Sequence, residues 1–364
     1  MLGFGFQTIH AKANTMTLPE NPDFLSAPAF ASEDSHKIAY KRSKGKGPCL
    51  VWCGGLKSDM EGGKATALHE WAVGRGQGFV RFDYCGHGVS SGQFRDGTIS
   101  RWTADTLQVI DEITEGPQIL IGSSMGGWTA LKAALARPER VKALLLIAPA
   151  PDFSEKLMWA GFDENIRRQI MDEGLYLQPS DYDEPYEISR DFILDGRTQQ
   201  ILDAPIPFRG PVRILQGMKD DAVPWQHALK IIDALESADT ELTLVKNGDH
   251  RLSEPDDITR MLAAAETTRR GRQQLRNEVL TSAEQQLQVG AYSIGAKLLD
   301  GLSADQSASG AAAAERLGQA IEAKRVVVDE SAQRIQASID RGDFALAVRL
   351  IGKLRPDQRS HVRV

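Results

Sequence analysis

Residues Gln118–Trp128 read Gln-Ile-Leu-Ile-Gly-Ser-Ser-Met-Gly-Gly-Trp. An apolar run, Ile119–Gly122, passes into Ser123-Ser124-Met125-Gly126-Gly127, and a helical pattern follows. This is G-x-S-x-G in a strand–turn–helix setting, the context in which a serine becomes a nucleophile. The turn is sharp and its backbone strained, so glycine is needed on both sides to let neighbouring elements approach. The helix N-terminus then aims its amides at developing negative charge. Ser123 is a rival, but only Ser124 has glycine at both the second position before it and the second after it. On either side of this stretch, short β-rich runs (IAYKRS, LVWCG, FVRFDY, ALLLIAP, VRILQG, ELTLV) alternate with helical stretches at Ala65–Val73, Ser100–Thr114, Gly126–Arg137 and Pro224–Glu236. Several runs are apolar on both faces, as in parallel strands covered by helices. The alternation implies a doubly wound, mostly parallel α/β sheet.

A hydroxyl is a weak nucleophile and needs a base held in the right tautomer. Two later loops follow strands and fall on the same sheet edge as the serine turn. One is Gly217-Met-Lys-Asp220-Asp221-Ala-Val-Pro224, and the other is Asn247-Gly-Asp-His250. The order serine, acid, histidine is that of the α/β-hydrolase fold. Asp220 is favoured as the acid and His250 as the base; Asp221 reads as a turn or capping residue, and Asp249 precedes the histidine. His227 reads as a surface residue of a helix, and His87 as part of another loop. The oxyanion hole is expected from the backbone N–H groups of Met125 and Leu56, the latter after Gly54-Gly55. The loop Phe82–Ser90 is expected to brace these elements.

The segments VWCGGLKSDMEGGKA, RFDYCGHGVSSGQF, GPQILIGSSMGGWTALKAALARPERV, GMKDDAVPW and DHRLS resemble the palmitoyl-protein thioesterase and acyl-glucuronide esterase branch of the α/β-hydrolases. The run Lys57-Ser58-Asp59-Met60 and the pair Asp220-Asp221 before Val-Pro-Trp225 are more specific than the general fold motifs. The resemblance covers about Ile38–Ala265. It implies a Ser124, Asp220, His250 triad and an S-acyl or carboxyl-ester substrate.

Between Pro151 and Pro207 the rhythm breaks, with no clear strand but with Met158, Trp159, Phe162, Tyr176, Tyr182, Tyr186 and an acidic turn at Asp181–Glu184. Such a segment is expected to form a lid (about 151–207). Gly55, Trp128, Met158, Trp159 and Phe162 are the expected substrate contacts. Water activated by His250 would complete turnover, so no metal or organic cofactor is required. After about Ala265 the chain becomes Ala-, Gln-, Arg- and Glu-rich with helical periodicity. Gly290–Gln306 lines up with Gly342–Gln358 as a weak repeat, two copies suggesting paired helical hairpins joined by the low-complexity Ser303–Ala314. The expected organisation is an N-terminal segment 1–24 of little order, a hydrolase domain 25–265 and a helical extension 266–364. A protein partner or a homo-oligomer is expected through those C-terminal helices.

The net charge of -6 over 364 residues gives no basic footprint for nucleic acid. Apolar residues at 41% and charged residues at 25% suit a globular chain with a core. Cys49, Cys53 and Cys85 are too few, and odd in number, for a disulfide framework, which points to a reducing compartment and a cytoplasmic location. The opening is a poor transit peptide, and Met16 is an equally sensible start. No run of about 18 apolar residues offers a membrane span. Two other functions compete with ester or thioester hydrolysis. A serine peptidase or amidase is one, since Gly126-Gly127 also occurs in peptidases resembling the prolyl oligopeptidases. A hydrolase-fold interaction protein is the other, and the intact Ser/Asp/His set argues against it.

Overall fold

Residues alternating in hydrophobic direction set the two faces of the central sheet. Along β3 (Lys46–Cys53), Leu50 and Trp52 pack into one core while Val51 and Cys53 pack into another. A strand with period two can be apolar throughout only if both faces are covered. The computed structural model describes residues 18–27, 36–180 and 185–288, together with 319, 333–338, 340–341, 346 and 350. Eight strands form the sheet: β1 (Asp23–Ala27), β2 (His36–Ser43), β3, β4 (Gln77–Phe82), β5 (Gln118–Ser123), β6 (Val141–Ile147), β9 (Val212–Gly217) and β10 (Thr240–Val245). Their spatial order is β1-β2-β4-β3-β5-β6-β9-β10. β2 runs against its neighbours β1 and β4, and the remaining pairings are parallel.

Helix α1 (Gly63–Val73) covers one face with Ala65, Leu68 and Ala72, joined there by Met261 and Ala265 of α7 (Pro255–Gln288). The other face is covered by α2 (Ile99–Ile113), α3 (Met125–Ala136) and α6 (Gln226–Ala234). α2 begins where the Thr98 hydroxyl accepts the Arg101 amide at 3.1 Å, an N-cap. The fold is that of the α/β-hydrolases.

The strand β1 departs from expectation, because it begins within the stretch assigned to the N-terminal segment. It is five residues long and mostly exposed, and it becomes a strand through pairing, Asp23 opposite Tyr40 and Ala27 opposite His36. Residues 1–17 lie outside the described residues.

The insertion after β6 contains strands, contrary to expectation. β7 (Leu175–Gln178) and β8 (Tyr186–Ser189) pair antiparallel, Tyr176 opposite Ile188 and Gln178 opposite Tyr186. Around them lie π-helical turns at Ser154–Trp159 and Gln169–Glu173, the short α4 (Glu164–Arg168), and α5 (Arg190–Thr198). Four-residue strands are too short to show periodicity against helical surroundings. The acidic turn Asp181–Glu184, with Tyr182, lies outside the described residues.

Both ends of this cap are tied to one side chain. Asp152 is fully buried, and its carboxylate accepts the amides of Ile201 at 2.8 Å and Leu202 at 3.0 Å. Lys156 lies 3.2 Å from the same carboxylate. His227, expected on the surface, is instead buried under the cap root, where its Nε2–H donates to the Pro151 carbonyl at 2.7 Å. It occupies the inward face of α6 beside Ala228 and Ile231.

The chain divides into two compact units, Met1–Gly271 and Arg272–Val364. Helical backbone runs through Pro255–Gln288 with a non-helical Gly271 inside it (φ 65, ψ 161). The joint Ser303–Ala314, the repeat copy Gly290–Gln306 and all but two residues of Gly342–Gln358 lie outside the described residues.

Candidate active site

Parallel strands in register bring their carboxyl ends to one edge. Cys53 lies opposite Gly122, Ser123 opposite Ile147, and Gly217 opposite Val245. Loops leaving that edge converge, which is where open α/β sheets hold their sites. Ser124 stands between β5 and α3 with φ 54 and ψ −118, a left-handed backbone that a non-glycine residue adopts at a cost. Its amide donates to the Ile147 carbonyl at 2.9 Å, and its own carbonyl accepts the amides of Gly127 and Ala150 at 2.9 and 3.0 Å. The flanking glycines are sterically required. A Cβ on Gly122 would stand 2.4 Å from the Gly126 carbonyl oxygen, and one on Gly126 would stand 2.0 Å from that of Cys53.

His250 Nε2 lies 3.0 Å from Ser124 Oγ, and Nδ1 lies 2.8 Å from Asp220 Oδ2. A carboxylate only accepts, so the network assigns the ring proton to Nδ1 and leaves Nε2 free to accept from the serine hydroxyl. The Asp220 side chain is fully buried while that of His250 is 30% exposed. Burying a carboxylate requires compensating donors. Oδ1 accepts the amides of Ala222 at 3.0 Å and Val223 at 2.7 Å, and Oδ2 accepts Gln216 Nε2 at 2.9 Å. Sequence reasoning missed Gln216; its only signal is a polar residue late in the buried strand Val212–Gly217, which also carries Arg213. Asp221 is exposed, and Asp249 spends its carboxylate on the Leu252 amide at 2.9 Å.

Gly55 sits against the serine, its Cβ position 3.5 Å from Ser124 Cβ. Leu56 follows it. Met125 opens α3, so its amide is among those without an intrahelical acceptor. His87, given no role from the sequence beyond its loop, supports this corner. Its Nε2 accepts the Lys57 amide at 3.0 Å and its Nδ1–H donates to the Cys85 carbonyl at 3.2 Å. The ring is packed edge-on against Tyr84, Phe94 and Trp102. Burial pushes its pKa down to about 4, so the neutral form that this bonding needs prevails.

Above Ser124 opens a cleft of about 800 Å³. Gly55, Met158 and Phe162 line it, as do Phe153, Leu157 and Tyr176, which the sequence reading did not name as contacts. Trp128 does not. It is fully buried one turn beyond Ser124, with its Nε1–H on the Gln199 carbonyl at 3.2 Å and its ring edge-on to Phe153. The fourth residue of a helix that leaves the sheet edge points down into the core rather than up into the cleft. Trp159 also lies outside the cleft wall, with the guanidinium groups of Arg167 and Arg197 5.4 and 4.6 Å from its ring centroid. At the polar end stand Ser58, Lys64 and Arg251; burial lowers the Lys64 pKa to about 8. Among the described residues, no group of three or more His, Cys, Asp or Glu side chains is placed to hold a metal.

A family described as "Serine aminopeptidase, S33" matches residues 50–179. The mouse protein named palmitoyl-protein thioesterase ABHD10, mitochondrial, is 42% identical over 223 residues, 61% of this chain and 75% of that one. The structure of α/β hydrolase domain-containing protein 10 from mouse superposes with TM-score 0.61 at 39% identity, covering 68% of this chain and 97% of that one. A solved structure from Agrobacterium vitis S4 superposes with TM-score 0.66 at 39% identity, covering 70% and 99%. The chain belongs to the α/β-hydrolase family, in the branch of the ABHD10 palmitoyl-protein thioesterases.

Proposed function

We propose that this hydrolase cleaves acyl thioesters or carboxyl esters through an acyl-enzyme on Ser124. The observation that carries the reading is the hydrogen-bonded series Ser124–His250–Asp220 on the floor of a cleft whose cap wall is apolar. His250 Nε2 takes the hydroxyl proton as Oγ attacks the acyl carbon. The carbonyl electrons move onto oxygen, where the Leu56 and Met125 amides receive the charge. Collapse expels the thiol or alcohol, which leaves with the proton from His250. Water then attacks the acyl-enzyme, gives its proton to Nε2, and releases the acid as Oγ regains a proton. Asp220 holds the imidazole tautomer throughout. Phe153, Leu157, Met158 and Phe162 suit an acyl chain, and the palmitoyl-protein thioesterase relatives support a long one.

In this reading the catalytic domain runs from β1, which begins at Asp23, to Gly271, and the residues after it serve a partner or self-association. The location is cytoplasmic, in keeping with three free cysteines; "mitochondrial" in the relatives' names describes those proteins. No helix among the described residues is long and apolar enough to cross a membrane. A second reading, cleavage of aminoacyl amides, is favoured by the aminopeptidase family match. Purified protein should label with a fluorophosphonate and hydrolyse S-acyl and p-nitrophenyl acyl substrates, and Ser124→Ala should do neither. Amide hydrolysis exceeding ester and thioester hydrolysis would move the assignment to the second reading.

A further inference from the structure

The run Lys57-Ser58-Asp59-Met60 stands apart from the general fold motifs, and the chemistry above leaves Lys57 without a task. Its backbone belongs to the loop that presents the Leu56 amide to the substrate carbonyl. Lys57 has φ 56, left-handed for a residue with a side chain, so this turn must be held by its surroundings. On the sheet side the holder is His87, whose Nε2 accepts the Lys57 amide at 3.0 Å. On the cap side the holder is the lysine's own side chain. Nζ donates to the Pro185 carbonyl at 2.9 Å and lies 5.8 Å from the ring centroids of both Phe94 and Tyr186, within reach of a cation–π attraction. Tyr186 opens β8 and lines the cleft, and its strand partner β7 carries Tyr176, another cleft residue. One residue therefore touches the oxyanion loop with its backbone and the cap hairpin with its ammonium group.

The geometry points to Lys57 as a positioning residue that couples the cap hairpin to the oxyanion loop, so that an acyl chain seated against Tyr176 and Tyr186 orders the Leu56 amide. This inference rests on the ester and thioester hydrolysis proposed above, and it adds a source of chain-length specificity. An acyl chain long enough to press on the hairpin holds Pro185 in place, which fixes Lys57 and the amide beside it. A short acyl group does not reach the hairpin, so it draws only on the Lys57–Pro185 bond already in place and gains less from the link. The gain falls in kcat, because the amide faces charge that exists only in the transition state.

The test compares p-nitrophenyl acetate with p-nitrophenyl octanoate in the full-length wild type, Lys57→Met and Lys57→Arg. Circular dichroism and thermal melts establish that each variant is folded. Methionine keeps an apolar stem against the rings and removes the ammonium donor; arginine keeps a cation and a donor. In Lys57→Met, kcat for octanoate should fall about tenfold, the scale of losing one charge-assisted hydrogen bond, while acetate falls much less. KM for octanoate should change little, and Lys57→Arg should recover most of the octanoate rate. Equal losses on the two esters, or no loss on octanoate, would overturn the coupling and leave the hydrolase assignment standing. Wild-type protein inactive on both esters would overturn that assignment and the coupling with it.

Discussion

Replacing Gly126 with alanine tests the elbow at its tightest point. The added Cβ would stand 2.0 Å from the Cys53 carbonyl oxygen and 2.4 Å from that of Gly54. Ordinary contact begins at 3.4 Å, so the elbow and the end of β3 must separate by more than an ångström. Both partners are backbone, and neither has a flexible end that can swing aside. The moving piece leads into Gly55 and Leu56, which line the cleft beside Ser124. Misplacement by about 1 Å costs on the order of a hundredfold in rate, so kcat on an acyl ester should drop by at least about that factor. Overpacking should also cost about 1–3 kcal/mol of stability. At about 2–4 °C per kcal/mol for a domain of this size, the melting midpoint should fall by several degrees. Gly63→Ala is the matched control, since nothing lies within 4 Å of its Cβ position. Stopped-flow hydrolysis and scanning calorimetry read the two effects. A Gly126→Ala enzyme with wild-type kcat and melting temperature would refute the claim that this glycine sets the spacing of the two loops.

Two further outcomes follow from buried groups. The folded-state pKa of His87 lies near 4 and its ordinary value at 6.5, so the unfolded chain binds more protons over that window and stability falls as pH drops through it. At about 1.4 kcal/mol per unit of pKa difference, the gap amounts to about 3 kcal/mol. Asp83 works against it, because burial raises its carboxyl to about 6 and acidification relieves that cost. The difference between wild type and His87→Asn isolates the histidine. Urea midpoints should show the wild-type advantage narrowing between pH 6.5 and 4, and a constant difference counts against a buried neutral imidazole. Asp152→Ala should strip the Ile201 and Leu202 amides of their acceptor and lower stability by about 3 kcal/mol. It should also raise KM for octanoyl more than for acetyl esters. A variant as stable as wild type, with unchanged KM ratios, removes the clasp from the account.

The parts of this site readable from sequence are those whose residue types are dictated by local backbone. Gly122 and Gly126 must lack side chains, Ser124 must follow an apolar strand, and the loops bearing Asp220 and His250 must follow later strands. None of that needs knowledge of distant partners. Features created by tertiary pairing stay hidden. β1 is a strand because β2 lies beside it, not because Asp23–Ala27 is strongly β-prone. Cap residues Tyr176 and Tyr186 face the cleft through a hairpin too short to announce itself. Trp128 misleads for a related reason. Nearness to Ser124 in sequence suggests nearness to the cleft, whereas helical geometry carries the fourth residue into the core. His87 and His227 show the converse, since a lone histidine in a loop or on a helix gives no sign of which carbonyl or amide it will meet.

The Asp152 clasp reaches beyond stability. Entrance and exit of the insertion are pinned to one carboxylate, although the bonded residues lie 49 positions apart in sequence. Everything between behaves as a cassette: its contents can be lengthened, shortened or exchanged while its two anchor points, and the sheet edge beneath them, stay where they are. Loop-closure entropy rises only slowly with length, by about 0.6 kcal/mol per doubling. Transplanting the interior of a relative's cap between Phe153 and Gln200 should therefore change which acids are released without re-engineering the floor on which Ser124 stands.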